Sequence, residues 1–302
     1  MSVLPPLAAH GICLGLVAID LAARALRIRA CTRAAGHPIT VRHAVQLNAW
    51  GDAAAGLTPL RAGGEAARLA GLLRAGVPAA QAFLAIGVEV ILAYPVVFAF
   101  GGVLLWRYAP AWWSQAAPAL RGRLDEGWPW LALVMALSLA AGIGAWRWRR
   151  VPLREPERGA RRLRAGGARL PWPALLVCLP TSLVNVVTRT LVLPVLAATL
   201  PAPPAPGVLL VGSFVLLYSQ LVLPTPAGVG AVDLALLGGA AGQLDGGVSL
   251  LVAWRFYTVG AGVLLGVGLA LQAFGVGPLR RAVTRFVRRP GVTPGEDPSP
   301  PA

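Results

Sequence analysis

From Ala79 to Trp106 the chain runs through twenty-eight residues with a single charge, Glu89. A helix needs only about 20 apolar residues to cross a bilayer, and inside lipid only helices and closed barrels satisfy their own backbone. Four more stretches, 3–23, 128–147, 171–199 and 247–275, are comparably apolar. Charged residues make up 13% of the chain, against about 25% in soluble domains. The reading is an all-α, polytopic membrane protein. It forms a single transmembrane domain over 1–289, followed by a Pro-rich tail, 290–302, expected to be disordered.

The formal charge of +15 comes from arginine alone, because the sequence contains no lysine. The arginines gather in three places: Arg24, Arg27, Arg29, Arg33 and Arg42; the nine between Arg147 and Arg169; and Arg280, Arg281, Arg285, Arg288 and Arg289. Loop arginines set topology, and the positive-inside rule makes all three clusters cytoplasmic. The expected location is a bacterial cytoplasmic membrane, with the N-terminus outside and the C-terminus inside. Trp106, Tyr108, Trp112, Trp113, Trp128, Trp130, Trp146 and Trp148 flank two of the stretches, as interfacial aromatics do. The first stretch has no basic residues before it and reads as a retained helix.

Several classes of chemistry find no support. Cys13, Cys31 and Cys178 lie far apart, and His10, His37 and His43 show no ligand spacing, so neither a disulfide framework nor a metal site is expected. Ser182, Ser213 and Ser219 have no partnered histidine in the sequence, and no phosphate-binding Gly-Lys loop occurs. Neither a cofactor nor an enzymatic activity is expected, and no nucleic-acid motif is present.

Orientation constrains the remaining pieces. Residues 43–78 must begin and end inside, and 207–245 must begin and end outside. A pair of spans or a re-entrant hairpin satisfies each. The halves 43–57, 64–76, 207–223 and 231–244 are short, which favours hairpins, although 207–223 is long enough to cross. Each piece carries the same device. Thr58-Pro59 leads through Arg61 to Gly63-Gly64-Glu65, and Thr225-Pro226 leads through Gly228 and Gly230 to Asp233. Glu89 and Arg255 each fall thirteen residues after a later glycine, Gly76 and Gly242. The expected architecture is therefore an inverted repeat with two re-entrant helical hairpins. Its halves are 3–106 and 171–275, joined by a linking span at 128–147, with a site near the midplane where the hairpin tips meet.

The candidate site residues follow from charge at depth. Arg61, Glu65 and Arg68 crowd the first tip, where charge is costly unless it serves a polar site. Glu65 is also simply explained as a helix-start acid pairing with Arg68 at i+3. Asp233 and Arg255 read as a structural ion pair, as a phosphate-binding fork, or as both. Arg74 reads as interfacial. Secondary candidates are Asn48, Glu89, with Arg189 as its expected partner, and the tip residues Gly64, Pro226, Gly228 and Gly230. Arg189 and Asn185 suggest a polar stripe facing the bundle interior. Asn48 and Asp52 read as helix-packing groups, and Asp20 with Arg24 as an interfacial pair.

These motifs resemble the flippase-like transmembrane domain of lysylphosphatidylglycerol synthases. The family pattern in the first half is a Pro, a Gly-Glu, an Arg and a later Glu; it is matched by Pro59, Gly64-Glu65, Arg68 and Glu89. In the second half it is matched by Pro226-Ala227-Gly228-Val229-Gly230, Asp233 and Arg255. Val90 and Ala93 stand where the pattern has Arg and Asp, and Ala227 replaces a Gly. The synthases carry an aminoacyl-transferase domain that these 302 residues do not include. The resemblance implies a lipid translocase whose partners are phospholipid or polyprenyl-linked membrane lipids. Two other readings remain open here. One is a non-transporting membrane partner of a lipid-, glycan- or envelope-modifying enzyme, docking through 147–169. The other is an integral membrane enzyme acting on lipids.

Overall fold

A computed structural model describes residues 3–58, 61–148, 172–221, 223, 225–244 and 247–275, with the side chains of 119–148 and 172–175 outside that description. Pro59, the 147–169 loop beyond Trp148 and the 290–302 tail therefore lie outside the described residues. The described chain is helical, with no strand.

Helix α1 spans Pro6–Ala34. The pair α2 (Val41–Leu57) and α3 (Gly63–Arg74) follows. Helix α4 covers Ala79–Trp148, so the stretches 79–106 and 128–147 fall in one helix. Next come α5 (Trp172–Ala197) and the pair α6 (Pro206–Ser219) and α7 (Ala231–Leu237). Helix α8 covers Gly247–Phe274 and carries a π-helical turn at Phe256–Gly260. Among the described residues, four helical segments are long and apolar enough to cross a membrane: Pro6–Ala34, Ala79–Pro118, Leu176–Ala197 and Gly247–Phe274.

The burial pattern is that of a protein solvated by lipid. Leu7, Ile91, Phe98, Trp106 and Leu176 are exposed, whereas Asp20, Arg27, Arg68 and Glu89 are buried. In hydrocarbon an ionised side chain must turn inward and find partners, while Leu and Phe lose nothing by facing out.

Both helix pairs are antiparallel hairpins, joined through 58–62 in the first and through the longer 220–230 in the second. Gly51 lies against Gly64 and Arg68, and Gly71 against Leu47 and Trp50. In the second hairpin Gly212 lies against Ala240 and Ala241, and Gly228 against Gln220. Each hairpin has its own core: Ile28, Leu47, Leu72 and Val77 for the first, and Leu216, Val232, Leu236 and Trp254 for the second.

Helices α1 and α5 form the central seam and run antiparallel. Cys31 meets Cys178, Arg27 meets Ser182, Asp20 meets Asn185, Cys13 meets Val192, and Leu4 N–H donates to Ala198 O. The other contacts come in matched pairs. Helix α2 packs on α8 as α6 packs on α4, and α1 packs on α4 as α5 packs on α8. Likewise α3 packs on α4 as α7 packs on α8. Lipid is as apolar as these faces, so close approach has to hold them. At the α2–α8 crossing a methyl group on Gly266 would sit 2.0 Å from the Ala49 carbonyl oxygen.

Two expectations need correction. The first span reaches Ala34 rather than residue 23. Arg24 and Arg27 therefore belong to the helix body, not to a cytoplasmic loop. For the same reason the Asp20–Arg24 pair is not interfacial: it sits in the seam, with Asp20 4% exposed.

Candidate functional site

The two hairpin turns share one hydrogen bond and one backbone feature, and the second also holds Ala227 at φ 50°. In each, the fourth residue of a Thr-Pro-x-x run donates its N–H to the threonine carbonyl, Arg61 to Thr58 at 3.3 Å and Gly228 to Thr225 at 3.1 Å. Both residues hold positive φ, 55° for Arg61 and 68° for Gly228. Glycine adopts that geometry freely, whereas an L side chain pays about 1–2 kcal/mol for it. In the first turn the strained position holds an arginine. The Arg61 guanidinium crosses to the second hairpin, where Nη1 donates to Gln220 Oε1 at 3.3 Å. The tips therefore meet through Arg61 and Gln220.

Beside this contact a small cavity of about 20 Å³ is lined by Asp20, Arg24, Asp52, Arg61, Arg189 and Thr258, among others. It has room for about one water molecule. Arg24 holds Asp52 with two parallel hydrogen bonds of 2.8 Å and reaches Asp20 at 3.0 Å. Asp20 also receives Arg189 at 3.4 Å and the Asn185 amide. Arg189 donates further to the Thr258 carbonyl at 3.4 Å, in the π-helical turn of α8. Three arginines face two aspartates, an excess of one positive charge. Arg61 is the arginine without a carboxylate partner among the described residues.

A second network lies one turn along. Glu89, 1% exposed, accepts from Arg27 Nε at 2.8 Å and from Arg68 Nη2. Arg27 also donates to Ser182 Oγ at 3.1 Å, and Arg68 pairs with Glu65 at 3.1 Å. The expected Glu89–Arg189 pair is thus corrected: Arg27 and Arg68 take Glu89, and Arg189 takes Asp20. Glu89 has these two partners although Val90 and Ala93 stand where the pattern it resembles has Arg and Asp.

The Asp233–Arg255 pair forms as expected, with Arg255 Nε 2.5 Å from Asp233 Oδ1. Arg255 also donates to the carbonyls of Ala227 (2.7 Å) and Gly228 (3.3 Å). All three of its nitrogens are therefore engaged in bracing the second turn. Asp233 accepts in addition from the Gly230 N–H at 2.9 Å and so fixes the start of α7. Pro226 and Gly228 form the 3₁₀ turn itself, and Gly64 packs its backbone on Ala55 and Gly51. Asn48 is buried and donates to Ala44 O within its own helix at 2.9 Å, which is a packing role.

Several buried polar atoms around the tips lack hydrogen-bond partners among the described residues. Arg24 Nε, Arg68 Nε and Gln220 Nε2 are all donors, and Thr225 Oγ1 is a hydroxyl. Donors outnumber acceptors here, so the unmet demand is for an acceptor-rich, negatively charged group.

The sequence model for the lysylphosphatidylglycerol synthase TM region matches residues 4–266. The chain belongs to that family. No curated protein and no solved structure gives a match. Membership identifies a multi-pass membrane protein with a lipid-related role. The matched region contains both hairpins, both buried networks and the Asp233–Arg255 brace, so the family segment and the site geometry coincide.

Gln220, Arg24 and Arg27 were not among the sequence candidates. Asp20, Arg24 and Arg27 recur at i, i+4 and i+7, and Ser182, Asn185 and Arg189 at i, i+3 and i+7. These are two single-face stripes, and reading the first as a helix face would have found its arginines. Gln220 is an amide in the apolar run 207–223, a signal of the kind that marks a buried polar site.

Proposed function

We propose that this protein moves a lipid headgroup between leaflets of a bacterial cytoplasmic membrane, through a midplane site at the tips of two re-entrant hairpins. The excess of buried donors around Arg61 and Gln220 carries this reading. A lipid phosphate offers several anionic acceptors to such a set, and arginine forks match its geometry. In this reading the chain is a carrier and makes or breaks no covalent bond.

Hairpin lengths support re-entrance. At about 1.5 Å per residue, α2 with 17 residues is about 25 Å long and α6 with 14 about 21 Å. Helices α3 and α7 are shorter still. All fall below the hydrocarbon thickness of about 30 Å, including the segment expected to be the longest. The antiparallel α1–α5 seam and the matched packing pairs support an inverted repeat, the architecture that places substrates at the repeat interface. The cavity of about 20 Å³ is too small for a phosphate, which fits an occluded state that must open by rocking one half against the other.

The test is leaflet exchange in reconstituted vesicles, with fluorescent phosphatidylglycerol, phosphatidylethanolamine and a polyprenyl phosphate. The wild-type protein is expected to accelerate exchange of at least one of them, and Arg61→Ala to reduce that rate to the protein-free level. Equal exchange by wild type and Arg61→Ala, with both shown to be folded, would remove Arg61 from the site. No exchange of any lipid by the folded wild type would overturn the carrier reading.

A further inference from the structure

At the end of the first hairpin remote from its tip, the start of α2, the end of α3 and the end of α8 come together around a second cavity of about 540 Å³. Its walls include Arg42, His43, Gln46, Trp50, Arg74 and Ala273. It carries two arginines and no carboxylate. Trp50 also lines an adjoining cavity of about 350 Å³ whose other walls are Ala53, Leu57, Val267, Leu271 and Phe274, with no charged residue. A basic chamber and an apolar chamber therefore share one tryptophan wall at the end of the hairpin remote from its tip.

We infer that this double cavity binds one anionic phospholipid, with its phosphate between Arg42 and Arg74 and an acyl chain along the α2–α8 groove. Arg74 is pre-positioned. Its Nη2 donates to Ala273 O at 3.2 Å, and its guanidinium lies 4.3 Å above the Phe274 ring. Arg42 has no hydrogen-bond or ion-pair partner among the described residues, so its charge is available. The Trp50 indole N–H also lacks an acceptor, and a lipid ester carbonyl would supply one. The chamber volume lies within the range of about 300–1,000 Å³ common for small-molecule sites. Basic pockets between membrane helices recognise anionic headgroups by the same charge logic. The chain's own C-terminal segment is a poor occupant, because 276–302 holds five arginines against two acidic side chains and matches the cavity's sign.

This site lies at the opposite end of the hairpin from Arg61 and does not depend on translocation. Its test is native mass spectrometry of the full-length protein in detergent, titrated with phosphatidylglycerol or phosphatidylcholine. Wild type is expected to retain one phosphatidylglycerol in preference to phosphatidylcholine. R42Q/R74Q should weaken that retention by on the order of tenfold or more. Arg33→Gln, which removes an exposed charge from the end of α1 without touching the cavity, should leave it unchanged. Equal retention by wild type and R42Q/R74Q, or an equal loss in Arg33→Gln, would overturn the site. Competition by soluble glycerol phosphate as effective as by the lipid would overturn the acyl-chain assignment. Circular dichroism and gel filtration verify folding. Should R42Q/R74Q misfold, the single variant Arg42→Gln, at an exposed and unpartnered residue, carries the same expectation.

Discussion

Glu89 is the most demanding residue to place, since it is an acid in the middle of the most apolar run and is nearly sealed from solvent. Two arginines from different helices neutralise it, Arg27 of α1 and Arg68 of α3. Removing one partner from a buried ionic group leaves the remainder charged and unpaired, typically at about 3–5 kcal/mol. Glu89→Ala leaves buried Arg27 without a carboxylate and Arg68 with only the exposed Glu65, so a loss within that range is expected, read as a fall in thermal midpoint in detergent. Glu65 pairs with the same Arg68, yet its side chain is 54% exposed. A surface pair contributes about 0–1 kcal/mol, so Glu65→Gln should barely move the midpoint. Equal destabilisation by the two variants would mean that Glu89 is hydrated rather than sealed. The two halves treat their mid-span charges differently for a simple reason. Arg255 in α8 meets the hairpin acid Asp233 directly. Glu89 in α4 cannot pair with another acid, so Arg68 stands between it and Glu65.

At the scale of the element, the hairpin turns separate stability from activity. Gly228 is needed for its backbone: an alanine there takes on the left-handed penalty of about 1–2 kcal/mol. Its Cβ would also lie 2.8 Å from Val232 Cγ2. Gly228→Ala should therefore destabilise the second hairpin. Arg61 occupies the equivalent position in the first turn against its backbone preference. Arg61→Gly relieves that strain but frees the unfolded chain and loses the Gln220 contact. These terms oppose one another, and the expected change in stability is under about 1 kcal/mol. On the proposed function the same substitution abolishes lipid exchange. Measuring melting and exchange on both variants checks this, and a strongly destabilised Arg61→Gly would make Arg61 a structural residue.

The breaks between α2 and α3 and between α6 and α7 were legible from sequence, because Thr-Pro and Gly steps interrupt a helix. So was the Asp233–Arg255 pair, as two lone charges in one hairpin–span unit. The partners of Glu89 were not legible. Arg24 and Arg27 follow an apolar stretch and look like loop arginines until α1 is known to continue to Ala34. Helix length there is set by the seam with α5, a tertiary fact that local composition does not encode.

At the scale of the whole molecule, the helix sets α1–α4 and α5–α8, the two halves of the proposed repeat, embrace each other rather than standing side by side. The first hairpin leans on α8, the last helix of the second half, and the second hairpin leans on α4, the last span of the first half. On the proposed function, the rocking motion must therefore pass through the α2–α8 and α4–α6 contacts, which makes those crossings the sensitive joints. The two differ in what opposes them. A side chain on Gly266 would run into the Ala49 backbone, with the Cβ 2.0 Å from its carbonyl oxygen. A side chain on Gly101 would meet the Phe214 ring, with the Cβ 2.4 Å from its outermost carbon. A backbone cannot step aside without moving its helix, whereas a half-buried phenylalanine ring can change rotamer. Gly266→Val should therefore separate α2 from α8, lowering the melting midpoint and, on the proposed function, the exchange rate together. Gly101→Val should cost clearly less in both. Overpacking typically costs about 1–3 kcal/mol, with Gly266→Val expected at or above the top of that range. Equal and small effects at both positions would mean that the halves are not locked at these crossings. The motion would then have to run through the α1–α5 seam, where Asp20, Arg27, Ser182, Asn185 and Arg189 interlock.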